Sequence, residues 1–191
     1  MQTEITIEVL EPLHSVLDKL EKLGFILKEK VFLKDWYYSK LTLKQLQKLS
    51  YKNLIKNSFL VRNILDTSNK SFIIYKNKVL DKNNNVIAEE KLSTEIYNLE
   101  NLLQIYNQTS LTNWCLLEQE MLIFSKDNIC FALQIVKDLG IFIEYEENDS
   151  LKGFTEQEKI NKLYNDLQKL GLTLGTDYSC KKVYLKFKKQ V

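Results

Sequence analysis

Polar and apolar residues alternate strictly where the chain opens: Ile5, Ile7 and Val9 fall on one side of an extended segment, and Glu4, Thr6 and Glu8 on the other. That period of about two residues marks a half-buried strand with an acidic wet face. The period then lengthens. Leu13, Val16, Leu17, Leu20 and Leu23 recur at helical spacing between Pro12, suited to a first helical turn, and Gly24, a helix stop. Residues 25–34 read as a second strand running into Asp35-Trp-Tyr-Tyr-Ser39, residues 42–49 as a short helix and 53–57 as a loop. Strand character dominates next, over 59–65, 71–80 and 86–92, separated by the turn-rich stretches Asp66-Thr-Ser-Asn69 and Asp81-Lys-Asn-Asn-Asn85.

Ile96, Leu99, Leu102, Leu103 and Tyr106 form one stripe and predict a helix over 94–106. Three more strands follow, near 114–124, 129–136 and 141–147. Thr155 with Glu158 has the spacing of a capping box, and Ile160, Leu163, Leu167 and Leu170 carry that helix to Gly171. The alternation of Val183, Leu185 and Phe187 predicts a closing strand. With no repeat and no Gly/Pro-rich linker, residues 1–191 read as a single α+β domain around an antiparallel sheet. Consecutive hairpins favour a closed or nearly closed barrel of about eight strands with peripheral helices, because closure removes exposed edges.

Composition narrows the function classes. The chain is 45% hydrophobic and 27% charged, enough apolar matter for a core. Its 27 bases and 25 acids leave a net charge of +2, so nothing global draws it to nucleic acid or an anionic membrane, and neither is expected as a partner. Cys115, Cys130 and Cys180 lack any metal-type spacing, which argues against a disulfide framework and a structural zinc site. The opening segment is acidic where a signal peptide is basic, and no apolar run reaches the roughly 18 residues of a membrane span, so a cytoplasmic protein is expected. The lone His14 and the cysteines read as packing residues, and no P-loop, GxGxxG, HExxH or EF-hand pattern occurs.

Several strands carry charges at alternate positions: Glu4 with Glu8, Lys76 with Lys78, Glu144 with Glu146, and Lys182 with Lys186. Inside a closed barrel these would bring carboxylates and ammonium groups into one lumen, the mixture that holds a divalent cation and a polyphosphate. Outside one, each is the solvated face of a half-buried sheet.

The order of motifs adds to this reading. Glu4-Ile-Thr-Ile-Glu8, Asp35-Trp-Tyr-Tyr, Phe59-Leu-Val-Arg62, Tyr75-Lys76, Ala88-Glu-Glu90, Leu139-Gly140-Ile-Phe142-Ile-Glu144-Tyr-Glu146 and Lys182-Val-Tyr-Leu185 occur in one series. The series resembles the CYTH superfamily of triphosphate tunnel enzymes, which includes class IV adenylyl cyclases, thiamine triphosphatases and inorganic triphosphatases. The resemblance implies an eight-stranded antiparallel tunnel in which Glu4, Glu90, Glu144 and Glu146 hold Mg²⁺ or Mn²⁺ and Arg62 and Lys76 hold the phosphates. It implies a triphosphate-containing small molecule as ligand: a nucleotide, thiamine triphosphate or inorganic triphosphate. Together with Glu8, these acids are expected to converge on the lumen and to raise one another's pKa values by repulsion.

The chain departs from the family pattern at functional positions. Thr6, Glu8, Leu60 and Gln134 stand where an acid, a lysine, an arginine and an aspartate are usual, and residues 117–124, a base-supplying region in the family, contain Glu118 and Glu120 and no base. Two functions therefore stay open. One is a metal-dependent enzyme that hydrolyses or cyclises a triphosphate. The other is a degenerate tunnel that binds an anionic ligand or a protein without turnover, unless Lys78, Lys182 and Lys186 make up the missing charge.

Overall fold

The computed structural model describes residues 3–66, 69–80, 86–178 and 181–190. Within them the chain forms β1 (Glu4–Val9), α1 (Leu13–Lys22), β2 (Ile26–Ser39), α2 (Leu43–Leu46), α3 (Tyr51–Lys56), β3 (Ser58–Ile64), β4 (Ser71–Leu80) and β5 (Val86–Ile96). It continues as α4 (Leu99–Gln108), β6 (Thr112–Lys126), β7 (Ile129–Val136), β8 (Gly140–Glu146), α5 (Glu156–Gln168) and α6 (Lys182–Gln190). The eight strands make one sheet in the order β1-β8-β7-β6-β2-β3-β4-β5, every neighbouring pair antiparallel. No helix among the described residues is long and apolar enough to cross a membrane.

The terminal strands of this order, β1 and β5, approach each other, yet no ladder joins them among the described residues. The expected closed or nearly closed barrel thus has no hydrogen-bonded seam among the described residues, and the edge of β1 gives the reason. The segment after α5 occupies that edge: Thr6 N–H donates to Tyr178 O at 2.9 Å, Leu10 N–H to Thr173 O at 2.8 Å, and Gly175 N–H to Glu8 O at 2.8 Å, with a bridge between Val9 and Leu174. The edge groups that closure would use are already satisfied, so an exposed edge is avoided without β5.

Alternation along each strand gives the sheet two apolar faces. On the outer face Ile5, Ile7 and Val9 of β1, Phe131 and Leu133 of β7, and Ile143 and Tyr145 of β8 pack with Val16 and Leu20 of α1 and Ile160, Leu163 and Leu167 of α5. Gly24, at φ +81°, lets the chain leave α1 and turn into β2. On the inner face Leu117, Val136 and Phe142 meet Leu46 of α2, Leu54 of α3, and Val183 and Phe187 of α6. Those helices fill part of the trough, and the rest stays open as a polar cavity.

Three elements differ from expectation. Residues 53–57 belong largely to helix α3, held by the complete burial of Leu54 and closed by Asn57 Nδ2 donating to Asn53 O at 2.7 Å. β5 runs on to Ile96, which pairs with Ser71, so the helix expected from Thr94 begins at Leu99, where Asn98 Oδ1 accepts from Asn101 N–H at 2.9 Å. The closing strand is a helix: Val183, Lys186 and Phe187 are buried at helical spacing while Leu185 faces solvent. Cys180 and the side chain of Lys78 lie outside the described residues.

Candidate functional site

Pairing register decides which charges meet. Glu4 stands opposite Glu146 and Thr6 opposite Glu144 across β1 and β8, so all four share the inner face. One carboxylate oxygen from each of Glu4, Glu144 and Glu146 lies within 4.8 Å of the others. Like charges so close repel, and a neighbouring cation is needed to hold them.

Lys182 supplies part of that charge. As the first residue of α6, its ammonium pairs with Glu144 at 3.1 Å and donates to Gln134 Oε1. Burial pushes the Glu144 carboxyl up, but the charges of Lys182 and Lys76 and the hydrogen bond from Gln134 outweigh it and hold the group well below the usual carboxylate range. The expected rise by mutual repulsion is thus reversed at Glu144, because the charges of Lys182 and Lys76 outweigh both its burial and its acidic neighbours.

Arg62 of β3 and Asp35 of β2 are register partners. The guanidinium donates through Nε to Asp35 Oδ1 at 2.7 Å and through Nη2 to Oδ2 at 2.6 Å, a two-point fork around a carboxylate that is 1% exposed. Burial works against the charge on Arg62, yet Asp35 and, more weakly, Glu144 keep it firmly protonated. A cavity of about 860 Å³, counting its open mouth, is lined by Glu4, Arg62, Lys76, Gln119, Glu144 and Lys182 among others.

Of the residues singled out from sequence, the structure brings together Glu4, Glu144, Glu146, Arg62 and Lys76. It does not bring in Glu90, which is exposed beside Asn77, its cross-strand partner, at 3.5 Å. Lys76 stands opposite Lys91 and Lys78 opposite Glu89, so the position sharing a face with Lys76 is that of Glu89, and Glu90 is a residue out of phase. Glu8 lies on the inner face but beside Gly140, outside the carboxylate trio.

Glu118 and Glu120 face away from the cavity. Glu118 pairs with Lys34 at 3.1 Å and Lys137 at 2.9 Å, and Glu120 with Lys30. The inward residues of β6 are Leu117, Gln119 and Met121. Gln119 is 6% exposed, and its Oε1 is buried with no hydrogen-bond partner among the described residues. Lys186 turns elsewhere, bonding Lys137 O at 2.7 Å and Asp138 Oδ2 at 3.1 Å. Sequence reading missed Asp35 as the partner of Arg62 and Gln119 altogether, since no spacing signal links positions brought together only by sheet register.

No family profile matches the chain. Over nearly its whole length it is similar to a candidate adenylate cyclase from Methanocaldococcus jannaschii, 23% identical over 188 residues that span 98% of each chain. Among solved structures, a Pyrococcus horikoshii protein superposes with a TM-score of 0.69 at 20% identity, covering 98% of this chain and 99% of its own. A candidate adenylyl cyclase from Hippeastrum, described as having a dominant triphosphatase activity, gives a TM-score of 0.64 at 13% identity, covering 100% of this chain and 96% of its own. The fold is shared with the two solved structures over nearly the whole chain, and the sequence relative is named as a candidate adenylate cyclase, one of the activities the resemblance read from the motif order implies.

Proposed function

We propose that this chain is a CYTH-type, triphosphate-processing enzyme that works with Mg²⁺ or Mn²⁺ and breaks a phosphoanhydride bond by hydrolysis or cyclisation. One observation carries the reading: Glu4 and Glu144 line a cavity with the bases Arg62, Lys76 and Lys182, and a carboxylate oxygen of Glu146 lies within 4.8 Å of theirs. Its acids are the donor set that a hard cation takes, oxygen only and closely spaced. The ion, when bound, supplies charge neutralisation and orientation of phosphate oxygens.

The chain's own residues do the rest. Lys76 and Lys182 present ammonium groups to the phosphates, and Arg62, fixed by Asp35, adds a positive charge that cannot move away. Lys182 stands in for the bases absent from Leu60 on β3 and from residues 117–124 on β6. The Hippeastrum protein's triphosphatase activity and the candidate cyclase from Methanocaldococcus support the substrate class.

A second reading, binding without turnover, has one observation in its favour: both ends of the Arg62 fork are spent on Asp35. Release of phosphate or cyclic nucleotide from tripolyphosphate, thiamine triphosphate and ATP, under Mg²⁺ and Mn²⁺, separates the two. Turnover that falls at least a hundredfold in Glu144→Gln and in Lys76→Met is the expected result. Ligand-induced thermal stabilisation without turnover moves the assignment to the second reading, and neither turnover nor stabilisation removes both.

A further inference from the structure

The inner face of β6 contributes an uncharged, largely apolar stretch to the cavity wall. Leu117 and Met121 flank Gln119 on the strand, and the register partners of Gln119 are Leu33 on one side and Val136 on the other. No charge lies among them. Phosphate oxygens gain nothing from such a surface, whereas a flat organic group with one polar edge fits it: apolar contact over the ring and a single hydrogen bond to fix it.

The Gln119 amide is the one polar side chain among these five residues, and its carbonyl has no donor among the described residues. Buried acceptors in folded proteins are paired as a rule, so an exception calls for a cause. Its register partners Leu33 and Val136 and its strand neighbours Leu117 and Met121 carry no side-chain donor. An amide that makes no bond through its carbonyl loses none when it turns toward an incoming N–H.

Resting on the triphosphate reading, we infer that Gln119 is a specificity-determining residue: its carbonyl accepts a hydrogen bond from an amine-bearing heterocycle carried by the triphosphate, while Leu33, Leu117 and Met121 hold the ring. The replacement of bases on β6 thus converts one wall of the trough from phosphate binding to recognition of the organic part. Bare tripolyphosphate, which has no such part, does not use this wall. An adenine nucleotide and thiamine triphosphate are the two sources of the same ring chemistry.

The test is calorimetric titration of the wild-type chain and of Gln119→Met, a near-isosteric change, with Mg²⁺ present and with tripolyphosphate, ATP and thiamine triphosphate as ligands. In Gln119→Met the affinity for whichever organic triphosphate binds best falls about tenfold, while tripolyphosphate binding stays within about twofold. The unliganded variant melts at or above the wild-type temperature, because an unpaired buried carbonyl has been removed. An equal loss for tripolyphosphate, an unchanged affinity for both organic ligands, or a clear drop in the melting temperature of the unliganded variant overturns the assignment of Gln119. If the wild-type chain binds none of the three, the triphosphate reading itself falls, and this inference with it.

Discussion

Asp35 is a carboxylate shut away from water, and Arg62 is what makes that tolerable. Removing one partner of such a pair strands a buried charge, at a cost of about 3–5 kcal/mol. Arg62→Met is therefore expected to lower the unfolding free energy measured in urea by that amount, whereas the double change Asp35→Leu with Arg62→Met returns most of the stability and none of the phosphate binding. A second residue-level effect is electrostatic. The hydrogen bond from Lys19, followed by that from the Thr173 N–H, lowers the Glu11 carboxyl from an ordinary 4.5 to about 2. A depressed pKa contributes stability that is complete above the unfolded value and fades as pH falls from about 4.5 toward 2. The difference in melting temperature between wild type and Glu11→Gln should shrink over that interval, and a difference that stays constant with pH refutes the tie. At this scale the sequence is least legible. Glu89 and Glu90 are equally acidic neighbours, and only the pairing of β4 with β5 tells which of them shares a face with Lys76.

Elements with strong local signals read correctly. Thr155 and Glu158 form both halves of a capping box, and Thr155→Ala is expected to cost about 1 kcal/mol by thermal or chemical unfolding. The strand at Ile129–Val136 was legible to its ends, since turn residues bracket an apolar run on both sides. α3 and α6 were not, because their helical state comes from burial that a linear pattern does not contain. In α6, Val183 and Phe187 are one helical turn apart and pack on Leu117, Val136 and Phe142, with the Phe187 ring 5.1 Å from that of Trp114. A two-residue alternation through Val183, Leu185 and Phe187 fits the same sequence, and the exposure of Leu185 is what rejects it. Phe187→Ala is expected to destabilise by about 3–5 kcal/mol. It should also weaken triphosphate binding, because Lys182 loses the helix that aims it; binding equal to wild type in a folded variant argues against that role.

For the whole molecule, strand number and antiparallel sense follow from the series of hairpin-like spacings, but what happens at the two ends of the sheet does not. The edge of β1 is taken by residues 173–178, more than a hundred positions away in sequence, and no period or turn signal announces such a pairing. Amide exchange should report it. The Thr6 N–H, bonded to Tyr178 O, is expected to be protected although β1 is a terminal strand, and fast exchange there contradicts the arrangement. This stave-like segment leads along the chain toward α6, and so toward Lys182 in the cavity. The edge of β1 is therefore covered by a segment that precedes in sequence the helix carrying one of the cavity's charges. If cavity and edge are coupled, a ligand that engages Lys182 is expected to raise the exchange protection of the Thr6 N–H, and weakening that edge is expected to lower ligand affinity by the same free energy.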